Sequence, residues 1–133
     1  MKENLKILIA DEYETVSRIT AIMLRNFYEN SAIDFAKTGI DVIEMVEKNK
    51  YDLVLMDSCL PEMSGVEATR LLKAKKENRN LKILGMSIYQ TNIYIDEFRG
   101  AGASGFIIKD KLNDYMKKAT ENLVSGSDFF IYI

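Results

Sequence analysis

The stretch YDLVLMDSCLPEMSG, residues 51–65, runs four apolar residues, Leu53 to Met56, straight into a carboxylate, Asp57. A Leu-Pro and a Ser-Gly follow within eight residues. An unbroken apolar run of this length suits a strand buried on both faces, as in a parallel sheet covered by helices. A lone Asp at such a strand end is commonly a loop or helix-capping residue. It is equally where an open parallel sheet presents chemistry, because ligands bind at the carboxyl ends of its strands.

Working outward from this strand, four more short apolar runs occur: KILIA (6–10), AIDFA (32–36), KILGMS (82–87) and GFIIK (105–109). The segments between them carry helical spacing: Val16, Ile19, Met23 and Phe27; Ile40, Ile43 and Val46; Ala68, Leu71, Leu72 and Lys75; Tyr94, Phe98 and Ala101; and Leu112, Tyr115, Met116, Ala119 and Leu123. Ser64 and Glu67 have the spacing of a capping box. Gly100, Gly102 and Gly105 punctuate the fourth helix and fifth strand. Five strand–helix alternations predict one α/β domain with a central parallel sheet and right-handed crossovers.

The chain has 133 residues, enough for one domain with one real core. Its 18 basic and 20 acidic residues give no reason to expect nucleic-acid or anionic-membrane binding by this segment. Cys59 is the only cysteine, so no intrachain disulfide forms and a reducing compartment fits. No histidine is present, which removes the usual metal ligand and the usual neutral-pH base. No apolar run reaches membrane-spanning length, and no signal peptide is legible, so the expected location is the cytoplasm.

Four of the five strands deliver a polar group to the carboxyl rim: Asp11-Glu12, Asp57, Ser87 and Lys109. Carboxylates gathered there repel one another, and a divalent cation relieves this. An oxygen-only set without histidine or thiolate suits Mg²⁺. A carboxylate beside a hard cation is also a nucleophile toward phosphorus, yielding an aspartyl phosphate. Ser87 and Lys109 then hold phosphoryl oxygens. Each residue alone has a bland reading: Asp11-Glu12 as a helix-end acid pair, Ser87 as a turn residue, Cys59 as a small buried side chain. The functional reading rests on four rim positions occurring together and in order.

Those residues, in ILIADE, DLVLMDSCLPEMSG, ILGMS and AGASGFIIKD, resemble the receiver domain of bacterial two-component response regulators, from about residue 5 to 126. The resemblance implies a single (βα)5 flavodoxin-like, doubly wound fold with strand order 2-1-3-4-5. It implies that Asp57 accepts a phosphoryl group from a sensor histidine kinase or phosphotransfer protein. Asp11, Glu12, Asp57 and the backbone carbonyl of Cys59 are then the Mg²⁺ site. Ser87 is the switch hydroxyl, Phe106 the switch aromatic and Lys109 the phosphoryl-binding amine. The face made by the fourth helix, fifth strand and fifth helix would carry the signal, with a phosphorylation-dependent homodimer as one form of output. The activity expected is that of a phosphoacceptor with at most weak self-catalysis.

The spelling SIYQTNIYIDEFRGAGASGFIIKD, with LVSGSDFF after it, is most similar to receivers of the LuxR-like class, which usually precede a DNA-binding domain. Residues 1–126 are the expected receiver, and 127–133 a tail or the start of a linker to an output domain absent from this sequence. The apolar DFFIYI (128–133) either packs back or marks where more protein follows. Three departures from the family pattern stand out. Glu12 replaces the usual Asp, Ile88 is bulkier than the usual small residue after the switch serine, and Tyr89 sits where water access is tuned. They motivate an alternative, a phosphorylation-independent pseudo-receiver that acts as an interaction module. A small phosphohydrolase is disfavoured because Cys59 stands where an acid/base Asp is required. A flavodoxin is disfavoured because the acidic residues 11–15 would repel a phosphate.

Overall fold

A computed structural model describes residues 4–89 and 91–132. Met1–Glu3, Gln90 and Ile133, the last of the expected 127–133 segment, lie outside the described residues.

Five strands, β1 (Lys6–Ala10), β2 (Ala32–Ala36), β3 (Leu53–Asp57), β4 (Lys82–Ser87) and β5 (Gly105–Ile108), form one parallel sheet in the order β2-β1-β3-β4-β5. The helices between and after them are α1 (Glu14–Phe27), α2 (Gly39–Lys48), α3 (Gly65–Lys73), α4 (Asn92–Ala101) and α5 (Leu112–Val124). This is the flavodoxin-like order expected from the resemblance.

The apolar runs are continuous because each strand feeds two cores. Ile7 and Ile9 of β1, with Leu53 and Leu55 of β3, face Leu24 of α1 and Met116 and Leu123 of α5. Leu8, Val54 and Met56 face the other way, toward Val42 of α2, Leu72 of α3 and Phe98 of α4. With side chains alternating across a strand, both parities must be apolar when both faces are covered. The edge strand β2 departs from this, with Ala32 and Phe35 exposed.

The helices correct some expectations. On α1 the buried residues are Ser17, Thr20, Ala21 and Leu24, while Ile19 and Ile22 are exposed. Small side chains let the helix approach the sheet closely, and the Thr20 hydroxyl is satisfied by the Val16 carbonyl at 2.8 Å. On α3, Ala68 and Leu72 are buried but Leu71 is exposed. Lys75 lies beyond the end of α3, and its ammonium pairs with Glu47 at 3.0 Å. Ser64 caps α3 by accepting from the Glu67 amide at 3.2 Å. The Glu67 carboxylate turns instead to Arg70 at 2.6 Å, so only half of the capping box forms.

After α3, the Lys73 ammonium donates to three backbone carbonyls, those of Asn78, Arg79 and Leu81, each at 2.9 Å. This ties the turn between α3 and β4. Beyond α5, Phe129 forms an isolated parallel bridge with Gly105 on the outer edge of β5.

Candidate functional site

Sheet register brings the rim residues together. Ala10 pairs with Met56, Asp57 with Met86, and Ser87 with Ile108. Asp11 and Lys109, each one residue past its strand, therefore join Asp57 and Ser87 at the carboxyl edge. The Asp11 amide still donates to the Ala36 carbonyl at 3.0 Å, which fixes where β1 ends.

Lys109 Nζ donates to Asp11 Oδ2 at 2.5 Å and to Asp57 Oδ1 at 2.7 Å. The side chains are nearly closed to solvent, Asp11 at 1 % exposure and Asp57 and Lys109 at 11 % each. The second oxygen of each acid is also held. Asp57 Oδ2 accepts from the Cys59 amide at 3.0 Å, and Asp11 Oδ1 from the Tyr13 amide at 3.0 Å. Burial opposes the charge on Lys109, but the hydrogen bonds and charges of Asp11 and Asp57 outweigh it and hold its pKa above the ordinary lysine value.

The turn after Asp57 is built to keep that carboxylate in place. The Ser58 amide donates to the Met86 carbonyl at 2.8 Å, and the Gly65 amide to the Ser58 carbonyl at 3.1 Å. A Cβ at position 65 would lie 1.9 Å from the Asp57 carbonyl oxygen, so only glycine allows this return. Glu62 turns the loop with a positive φ of 68°.

Asp11, Asp57, Ser87 and Lys109 are thus brought to one rim. Ser87 is fully buried, and its Oγ accepts from the Tyr89 amide at 3.1 Å. Glu12 does not join them. It lies at a bend past the end of β1 and is exposed, where the Tyr13 amide turns back to Asp11 Oδ1. Among the described residues no group of three or more metal-ligating side chains gathers. The expected trio of acids is therefore a pair of acids sharing an ammonium. Cys59 contributes its amide, while its side chain lies on an exposed residue rather than buried as its bland reading expected.

Phe106 is buried, its ring centroid 5.8 Å from that of Phe98 on α4. The register partner of Phe106 is Gly85, and a Cβ there would lie 2.6 Å from Phe98 Cγ. The glycine in KILGMS is what lets the two rings meet. Ile88 and Tyr89 are exposed at the rim, and Tyr89 stacks on Tyr94 with centroids 5.8 Å apart and 18° between planes. Burial, and next the Cys59 thiol beside it, push the Tyr94 hydroxyl pKa up. The spacing assigned Tyr94 to a core stripe. Its partnership with a loop tyrosine has no periodic signal.

Residues 7–121 match the response regulator receiver domain family. The chain belongs to this family. It is 30 % identical over 109 residues to the chemotaxis protein CheY-3 of Vibrio cholerae, covering 82 % of this chain and 83 % of that protein. It is 31 % identical over 122 residues to the transcriptional regulatory protein LnrK of Bacillus subtilis, covering 92 % of this chain but only 54 % of that protein. Among solved structures, a LuxR-family two-component response regulator from an Aurantimonas species superposes with a TM-score of 0.84 at 23 % identity, covering 95 % of this chain and 89 % of that one. The receiver domain of the Pseudomonas aeruginosa sensor histidine kinase PA1611, solved with a magnesium ion in its active-site cleft, gives 0.82 at 20 % identity, covering 92 % and 99 %. Phosphorylation-dependent switching is the general function of receiver domains, which are phosphoacceptors rather than conventional enzymes. No helix among the described residues is long and apolar enough to cross a membrane.

Proposed function

We propose that this receiver takes a phosphoryl group on Asp57 from a phosphohistidine of a sensor histidine kinase or phosphotransfer protein. The observation that carries the reading is Lys109 held between Asp11 and Asp57, with Ser87 one strand over. A carboxylate oxygen of Asp57 attacks phosphorus, the P–N bond breaks, and the imidazole leaves. The Lys109 ammonium is placed to follow a phosphoryl oxygen, and the buried Ser87 hydroxyl to reach another.

The acids at the rim fit Mg²⁺, which takes one or two carboxylates and keeps several waters. Asp11 and Asp57 would hold it, with the Cys59 carbonyl and, after a side-chain rearrangement, Glu12. Held by those residues, it would supply positive charge to the phosphoryl oxygens. The exposed Tyr89 ring near Ser87 hinders in-line water, so the acyl phosphate is long-lived and self-catalysis weak. The unit 1–126 works in the cytoplasm without binding nucleic acid or membrane itself. Its output passes through the α4–β5–α5 face, through a homodimer or a transcriptional output domain of the kind implied by the additional length of LnrK.

Intact-protein mass spectrometry after incubation with acetyl phosphate and Mg²⁺ tests this. One added phosphoryl group, lost in Asp57→Asn and without metal, is the expected result. The exposed Glu12, outside any group of three ligating side chains among the described residues, favours a second reading, the phosphorylation-independent interaction module. No added mass on a folded protein, with partner binding unchanged in Asp57→Asn, selects that reading instead.

A further inference from the structure

The segment Asp128–Tyr132 returns across the domain instead of leaving it. Past α5 the chain turns at Gly126, whose φ is 96°. The Ser127 amide donates to the Asn122 carbonyl at 2.7 Å. The Phe129 amide then donates to the Ser104 carbonyl, and the Phe129 carbonyl accepts from the Phe106 amide, both at 2.9 Å. These bonds make residue 129 a one-residue sixth strand, parallel to β5. The approach requires Gly105, where a Cβ would stand 2.8 Å from the Phe129 oxygen.

The side chains straddle the sheet edge. Phe129 is buried in the α1/α5 core, its ring 6.0 Å from that of Tyr115. Phe130 packs against the other core, the one that contains Phe98 and Phe106, under the Arg99 guanidinium at 4.7 Å. The Tyr132 hydroxyl donates to Asp96 on α4 at 2.7 Å and accepts from Arg99 at 3.4 Å. The segment thus touches α4, β5 and α5 together. A shallow apolar groove of about 280 Å³ remains beside it, lined by Ile107, Ile108, Tyr115 and Ile131 among others.

We infer that residues 128–132 are an in-cis occupant of the α4–β5–α5 face, which a second copy of this chain must displace to dock there. The inference rests on the proposed function for the output role of this face and for a homodimer formed there, and on the family resemblance for Phe106 as the switch aromatic. The occupant is also wired to the switch. Its carbonyl is bonded to the amide of Phe106, and its Phe130 shares a core with the Phe106 ring, so repositioning Phe106 disturbs the segment and displacement of the segment loosens Phe106.

Sedimentation velocity would compare the full chain, the chain ending at Ser127, and Phe130→Ala/Tyr132→Phe, which keeps the backbone bridge. Circular dichroism confirms folding of each. Without any phosphoryl donor, the shortened chain should self-associate at a concentration at least tenfold lower than the full chain, with the double variant between them. Equal or weaker association of folded variants overturns the inference. So would amide exchange at Phe129 and Phe106 of the full chain at unstructured rates; exchange slowed at least tenfold is expected. Repeating the comparison with acetyl phosphate and Mg²⁺ separates the two claims. Absence of phosphoryl on Asp57 in every chain counts against the phosphoacceptor reading, and equal association of the chains counts against the strap.

Discussion

Two ammonium groups at opposite ends of the sheet are held by oxygen, and they differ in the kind of oxygen. Lys109, at the carboxyl end, lies between two carboxylates. Lys73, near the amino end of β4, faces three backbone carbonyls. Burial disfavours both charges. At Lys109 the charged partners win and the pKa rises. At Lys73 burial leads, Lys82 repels it as well, and the pKa falls. Dipoles can satisfy a cation's hydrogen bonds without repaying its desolvation, whereas full charges can. The Lys73 contact is therefore a fixed tie, and the Lys109 contact is one that a change of charge on Asp57 would rewrite.

The sharpest way to break this contrast is Lys109→Met. It leaves Asp11 and Asp57 buried and facing each other, and should cost about 3 kcal/mol in urea unfolding at pH 7. Lys73→Met leaves neutral carbonyls instead, and should cost about 1–2 kcal/mol. Equal losses would remove the distinction.

The alkaline limb sharpens it further, with opposite signs. For Lys109, whose folded pKa is raised, its contribution is whole below the ordinary value of 10.5 and is lost as pH rises through the higher folded value. For Lys73, whose folded pKa is lowered, the cost of the buried charge is relieved as pH rises through the lower folded value toward 10.5. Relative to the parent chain, Lys109→Met should lose less stability between pH 9.5 and 11.5, on the order of the ordinary lysine titration range, and Lys73→Met more. Taking differences between chains cancels the buried Tyr28 and Tyr51, whose raised pKa values also act there. The smallest effect is expected at Glu62. Glycine there relieves the positive φ of 68° but loosens the unfolded chain, so Glu62→Gly should change stability by less than about 1 kcal/mol.

Much of this was legible in the sequence because strands and rim residues follow local rules. The runs at 6–10, 32–36 and 82–87 coincide with β1, β2 and β4. A polar residue ending an apolar run marks the rim without any tertiary knowledge. The helix faces were read less well, since large apolar residues dominate a periodic count while α1 buries Ser17, Thr20 and Ala21. Adjacency pairs Glu12 with Asp11, but the chain bends after β1, and a bend carries no face rule that a sequence reading could use. The ties made by Lys73 and by Phe129 to Tyr132 depend on where the chain returns in space, which no spacing encodes.

The continuous apolarity of the inner strands carries a hidden ambiguity. When both faces of a strand are greasy, sliding it by one residue exchanges its two cores without exposing anything apolar, so hydrophobicity alone is nearly blind to alignment. What distinguishes the correct alignment is where each strand stops being apolar. If β1 or β3 advanced by one place, Asp11 or Asp57 would be drawn between helices with no cation to meet it. The acid that ends LVLM is in this sense a punctuation mark for assembly, and the chain keeps its alignment for the same reason it keeps its chemistry.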